Sequence, residues 1–172
     1  IFIHKFDLIR VYPRLSASHS SNSKFESPKI VNFELQGVMM ELKHANVTEA
    51  IIKAFFVVYN ALGYGFLEKV YANALAQELR RMGYLVEREV LIHVYYKGEI
   101  IGEYYADLLV DGKVIIETKA AKDLAPEHEA QLLNYLRATP YEIGIVLNFG
   151  PKAEYIRKAY DNQRKPTQTW LA

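Results

Sequence analysis

Residues 103–120, EYYADLLVDGKVIIETKA, set the strongest limit on what this chain can fold into. Two runs rich in Tyr, Val, Leu and Ile flank Asp111-Gly112, a turn signal, so the stretch reads as a β-hairpin. Such a hairpin should be apolar at its centre, yet it carries Asp107, Glu117 and Lys119. Unpaired charges buried in a sheet are strongly destabilising. The three groups need a compensating partner, and carboxylate oxygens are preferred ligands of a hard divalent cation.

Register sharpens the expectation. Glu117 and Lys119 are two residues apart and share one face of a strand, with Val114, Ile116, Thr118 and Ala120 on the other, core-facing side. A two-residue turn at Asp111-Gly112 sets Asp107 opposite Ile116, on the wrong face. An odd loop, Val110-Asp111-Gly112 with a left-handed Gly112, sets Asp107 opposite Ile115. Glu117 then lies diagonally across, roughly 7 Å away, and one metal ion spans that gap.

Composition excludes several alternatives. At 172 residues, 51% apolar and 24% charged, the chain has one domain's worth of core. Without cysteine there are no disulfides, thiolate zinc sites or cysteine nucleophiles, which fits a cytoplasmic protein. No apolar run approaches about 18 residues, so no membrane span is expected. The formal net charge of +1 gives no global attraction to nucleic acid, and any such contact must rest on local basic patches.

Residues 1–38 differ from the rest. The stretch 16–29 is polar and serine-rich and reads as disordered linker, and the first methionines are Met39 and Met40. Residues 1–38 are therefore expected to be a disordered or non-native extension, 39–161 the globular domain and 162–172 a polar tail. A first helix is expected over 47–62, opened by a capping box from Asn46 and Glu49 and stopped by Gly63. A second follows over 66–81, with Leu67, Val70, Tyr71, Leu75 and Leu79 facing inward. Strands over 85–96, 99–110 and 113–120 make an antiparallel meander. Pro126 opens a third helix ending near Ala138, and 142–148 is a buried strand. Residues 155–160 read as an edge strand or a short helix, with the strand favoured. The order ααβββαβ is that of an α/β sandwich with a mixed central sheet flanked by helices.

Three further positions carry chemistry. Glu68 and Tyr71 share a helix face with Leu75, and a glutamate on an inward stripe is unusual. Taken alone, Glu68 reads as a surface residue paired with Lys69 or Lys53. Beside an acidic hairpin, it reads as a third acid. On the third helix His128, Gln131 and Tyr135 fall on one face and could roof the carboxylates, with His128 a satisfied or solvent-facing histidine rather than a ligand.

Gly65, Glu68 and Tyr71 match the GxxExxY signature of the family named after it. Asp107 with Glu117-Thr118-Lys119 resembles the D…ExK core of the PD-(D/E)XK nuclease superfamily, in which that family is placed. Gln131 and Tyr135 look like the QxxxY motif of RecB-type exonucleases. The resemblance covers about residues 45–160. The proline that names the superfamily is absent, since Ala106 precedes Asp107.

The resemblance implies a restriction-endonuclease-like fold and metal-dependent hydrolysis of phosphodiester bonds in nucleic acid, DNA foremost. It implies Mg²⁺ or Mn²⁺ held by Asp107, Glu117, the Thr118 backbone carbonyl and Glu68. Lys119 acts on the nucleophile or the developing charge. Gln131, Tyr135 and Tyr71 take supporting roles. Lys122, Arg88 and Arg137 are candidates for tracking phosphates. Two alternatives stand beside this: a nuclease-like fold that binds nucleic acid or protein with little catalysis, and a structural domain whose acids and lysine pair internally.

Overall fold

The computed structural model describes residues 42–165 together with two short strands, β1 (Glu34–Leu35) and β2 (Val38–Met39), which pair antiparallel. Apart from these, the extension expected over 1–38 lies outside the described residues, as does 166–172 of the expected tail.

Helix α1 spans Ala45–Leu62 and buries Ile51, Ala54, Phe55 and Val58, a stripe at intervals of three and four. The expected capping box is not formed. His44, in the left-handed conformation at φ 56°, turns the chain into the helix with no side-chain cap. Gly63 ends α1 as expected, at φ 67°, and its N–H donates to the Tyr59 carbonyl at 2.8 Å. By length and composition alone α1, although interrupted by Glu49 and Lys53, is also long and apolar enough to cross a membrane, a test that buried core helices pass as well. Within the fold its apolar side packs inward, with Phe55 edge-on to Phe149 at 4.7 Å.

Helix α2 spans Glu68–Arg81 and buries Tyr71, Ala72, Leu75, Ala76 and Leu79. Leu67 and Val70, expected on that face, are exposed. Leu67 is the extended residue before the first turn, and its side chain leaves the helix surface there.

Strands β3 (Val86–Tyr96), β4 (Glu99–Val110) and β5 (Val114–Lys119) form the expected meander. Lys97 and Gly98, both at positive φ, make the two-residue turn between the first pair. Helix α3 (Pro126–Ala138) returns the chain to β6 (Ile143–Phe149), parallel to β5, and β7 (Ala153–Ala159) closes the far edge antiparallel to β6. The sheet order is β3-β4-β5-β6-β7, mixed and flanked by helices. The order ααβββαβ holds, with β7 as one further strand.

One core lies between the sheet and α1 and α2, around Phe55, Tyr71, Leu75, Leu108, Ile116 and Phe149. The other lies under α3, around Ile92, Leu109, Ile115, Leu132, Tyr135 and Val146. Strand β5 is therefore buried on both sides, not only through Val114, Ile116 and Thr118, because the α3 crossover covers its second face. Gly144 makes that cover close: a Cβ there would stand 2.5 Å from Leu132 Cδ1.

Candidate active site

The loop between β4 and β5 has an odd number of residues, as the argument from faces requires, but it lies one residue further along than expected. It comprises Asp111, Gly112 and Lys113, with Asp111 and Gly112 both left-handed (φ 52° and 62°). Val110 pairs with Val114 and Leu108 with Ile116, so continuing the register puts Asp107 opposite Glu117 rather than Ile115.

The ladder stops just before that pair. Asp107 Oδ2 accepts from the Thr118 N–H at 2.6 Å and from the Thr118 hydroxyl at 2.5 Å. A carboxylate thus stands where the neighbouring strand's carbonyl would otherwise close the sheet. On the other side of Asp107 the pleat is also broken. Val90 and Ala106 pack under α3, whereas Val86 and Leu108 pack under α1 and α2. The register is the same on either side of Glu89 and Asp107, and Glu89 is left-handed at φ 51°. Both strands switch faces at this one level, as an extra residue in each would make them do.

Glu117 is only 2% exposed. Its Oε2 lies 3.3 Å from Lys119 Nζ, and its buried Oε1 has no hydrogen-bond partner. Burial, and after it the Asp107 charge, pushes the Glu117 carboxyl up to about 7; Lys119 and the Asp107 backbone amide only partly offset this. Lys119 pairs with Glu117 through Oε2 alone and leaves Oε1 without a donor. A buried carboxylate oxygen with no donor, beside a second carboxylate, is the chemistry of a site that takes a cation.

Helix α3 lies over this face of the sheet. Gln131 Nε2 donates to the Tyr135 hydroxyl at 2.8 Å, and the Tyr135 ring packs against Tyr104 at 6.0 Å. Burial raises the Tyr135 phenol above its usual value against the Gln131 bond, and the Glu117 and Asp107 charges raise it further. Tyr135 thus lies within reach of both carboxylate charges, and Gln131 is bonded to its hydroxyl. His128 instead caps its own helix, its Nδ1 accepting the Ala125 N–H at 3.1 Å.

Glu68, the first residue of α2, reaches the end of β5, where its Oε1 accepts the Ala120 N–H at 3.3 Å. It does not close a triad of acids: among the described residues no three His, Cys, Asp or Glu side chains converge closely enough to hold a metal. Tyr71 is fully buried on the opposite side of the sheet, stacked on Phe149 at 4.4 Å. Its hydroxyl donates to the Gly63 carbonyl at 2.9 Å and accepts the Phe66 N–H at 3.1 Å, pinning the link that leads into Glu68. Gly65 crosses that link at φ 112°, which a side chain disfavours. Lys122, Arg88 and Arg137 are all exposed.

Asn148 was not singled out by the sequence argument. Paired with Lys119 in the parallel ladder, it bonds both backbone groups of Ala121, accepting from N–H and donating to the carbonyl, each at 3.0 Å. A fully buried amide ending the apolar run IGIVL was the available signal.

No curated protein matches the sequence. Among solved structures, the chain is similar to an alkaline exonuclease (LHK-Exo) from Laribacter hongkongensis, at 14% identity and TM-score 0.42, over 72% of this chain and 74% of that one. It is also similar to SSO0001, at 20% identity and TM-score 0.33, over 68% of each chain. A family model described as the PD-(D/E)XK nuclease superfamily matches residues 45–159. That match begins on the first residue of α1 and ends on the last of β7, taking in the whole five-stranded sheet and its helices, and by it the chain belongs to the PD-(D/E)XK nuclease superfamily.

Proposed function

We propose that this protein is a metal-dependent nuclease of the GxxExxY branch, hydrolysing phosphodiester bonds of nucleic acid, with DNA the expected substrate, at Asp107, Glu117 and Lys119. The observation that carries this reading is the half-bonded Glu117 carboxylate, paired with Lys119 through Oε2 but with Oε1 buried and unbonded beside Asp107. Asp107, Glu117 and the Thr118 carbonyl would hold Mg²⁺ or Mn²⁺, with Glu68 contributing from the helix through water. The bound ion supplies polarisation of a phosphoryl oxygen and a lowered pKa for water.

The chain's own groups do the rest. Thr118 fixes Asp107 by two hydrogen bonds, so that carboxylate is oriented before any ligand arrives. Lys119, now 3.3 Å from Glu117, is placed to donate to the attacking water or to the phosphate as charge develops. Gln131 and Tyr135 position the phosphate or the lysine from above. Cleavage assays on mixed DNA and RNA with Mg²⁺ or Mn²⁺ test this. Wild-type protein should cleave and Lys119→Ala should not; activity retained in Lys119→Ala refutes the assignment.

A second reading draws on the wide placement of Glu68. With no three acids converging among the described residues, the fold could bind nucleic acid without cutting it. Calorimetric titration separates the two: the nuclease reading requires uptake of Mg²⁺ or Mn²⁺ at Asp107 and Glu117, which a binder without catalysis need not show.

A further inference from the structure

We propose that Tyr104 is a base-stacking residue and that the nucleic acid entering the site is single-stranded where it crosses β4. The inference rests on the nuclease reading and names its substrate class.

Beyond Asp107, β4 and β3 continue as a two-stranded ribbon that β5 does not extend along. On its α3 side, Tyr104 is 52% exposed although its ring touches a residue of the site. The ring is held from two directions. Tyr135 packs against it at 6.0 Å, and its Cε2 edge lies over Gly102, 3.5 Å from where a Cβ there would be. An aromatic ring steadied on both sides and still half open is a platform lacking its upper layer. Tyr105 is as exposed but alternates to the other face, away from Tyr135.

Asp107 lies three residues on from Tyr104, about 10 Å along a strand. A nucleotide neighbouring the scissile phosphate reaches that far, and its base has the π-face the platform fits. A duplex keeps its bases stacked on each other and is held mainly through phosphates. The formal net charge of +1 supplies no global attraction to the phosphates of a duplex.

The test is binding of a labelled oligothymidylate and of the same strand in duplex, by fluorescence anisotropy with Ca²⁺, to the full chain and to Tyr104→Phe and Tyr104→Leu. Tyr104→Phe should bind as wild type. Tyr104→Leu should bind the single strand about tenfold more weakly and the duplex unchanged. In Trp170→Phe, which removes the single native tryptophan, Tyr104→Trp should show fluorescence quenched by the oligonucleotide. The proposal is overturned if Tyr104→Leu binds single strand normally, weakens both forms alike, or changes only the oligomeric state. Wild-type cleavage with Mn²⁺ is measured alongside: if it persists while Tyr104→Leu binds normally, only the platform fails. If wild-type protein neither binds nor cuts any nucleic acid, both readings fail.

Discussion

Asp107 holds Thr118 by two hydrogen bonds through one oxygen, from the backbone N–H at 2.6 Å and from the hydroxyl at 2.5 Å, at the level where the β4–β5 ladder ends. One residue thus orients a candidate metal ligand and closes a gap in the sheet, and two substitutions separate these roles. Asp107→Asn keeps an acceptor for Thr118 and removes a charge that repels Glu117. It should abolish cleavage while leaving the metal-free protein as stable as wild type or more so. Asp107→Ala should lose activity and also about 1–3 kcal/mol, since the Thr118 N–H is left buried without a partner. Urea denaturation in EDTA checks both; a large destabilisation by Asp107→Asn would favour an internal structural pair.

Glu117 makes the apo protein more stable in acid. Its carboxyl titrates at about 7 in the fold against a usual value of 4.5. Between these limits the folded state keeps a proton that the unfolded state has lost, so stability falls as pH rises from about 4.5 to 7 and levels off above. The contribution is on the order of a few kcal/mol. Thermal melts of wild type in EDTA should show a higher Tm near pH 5 than near pH 7, whereas the profile of Glu117→Gln should be flatter through this window. Near pH 6, Mg²⁺ or Mn²⁺ uptake must expel that proton. Calorimetry in buffers of different ionisation enthalpy should register it in wild type but not in Glu117→Gln.

The features that were legible in the sequence are those written in local chemistry. Helix α3 has its expected bounds because Pro126 suits a first turn and Thr139-Pro140 ends one. The acidic pair and Lys119 stood out because charge in an apolar strand is expensive. Three features were hidden for physical reasons. Asp111 and Gly112 both adopt left-handed backbone, moving the loop by one residue while preserving its odd length. The face switch at Glu89 and Asp107 needs both strands at once, and neither run alone records it. The direction taken by Glu68 depends on where α2 starts, and Leu67 could equally have begun the helix by its periodicity.

Tyr71 acts on the site from behind the sheet. Its hydroxyl ties Gly63 to Phe66, while its ring is held by Phe149 at an interplanar angle of 11°. Tyr71→Phe keeps the stack and loses both hydrogen bonds. It should cost about 1–2 kcal/mol and speed amide exchange at Phe66. Because the link leads directly into Glu68, turnover should fall while oligonucleotide affinity holds. If exchange at Phe66 is unchanged, the hydroxyl does not hold the link.

Asn148 offers a test of how tightly Lys119 must be framed. Its amide bonds both backbone groups of Ala121, and Gly150 allows the loop to lie close, because the Ala121 carbonyl oxygen occupies the place a Cβ on residue 150 would take. Asn148→Asp retains an acceptor for the Ala121 N–H but loses the donor and sets a carboxylate against the carbonyl. Its expected cost is about 1–3 kcal/mol. Gly150→Ala displaces the same loop by volume instead of charge. Both variants should accelerate hydrogen exchange at the Ala121 amide and lower cleavage, with the Leu147 amide in the sheet staying protected. Agreement between two such different perturbations would assign the effect to loop position. A change in Asn148→Asp alone would assign it to the added charge near Lys119.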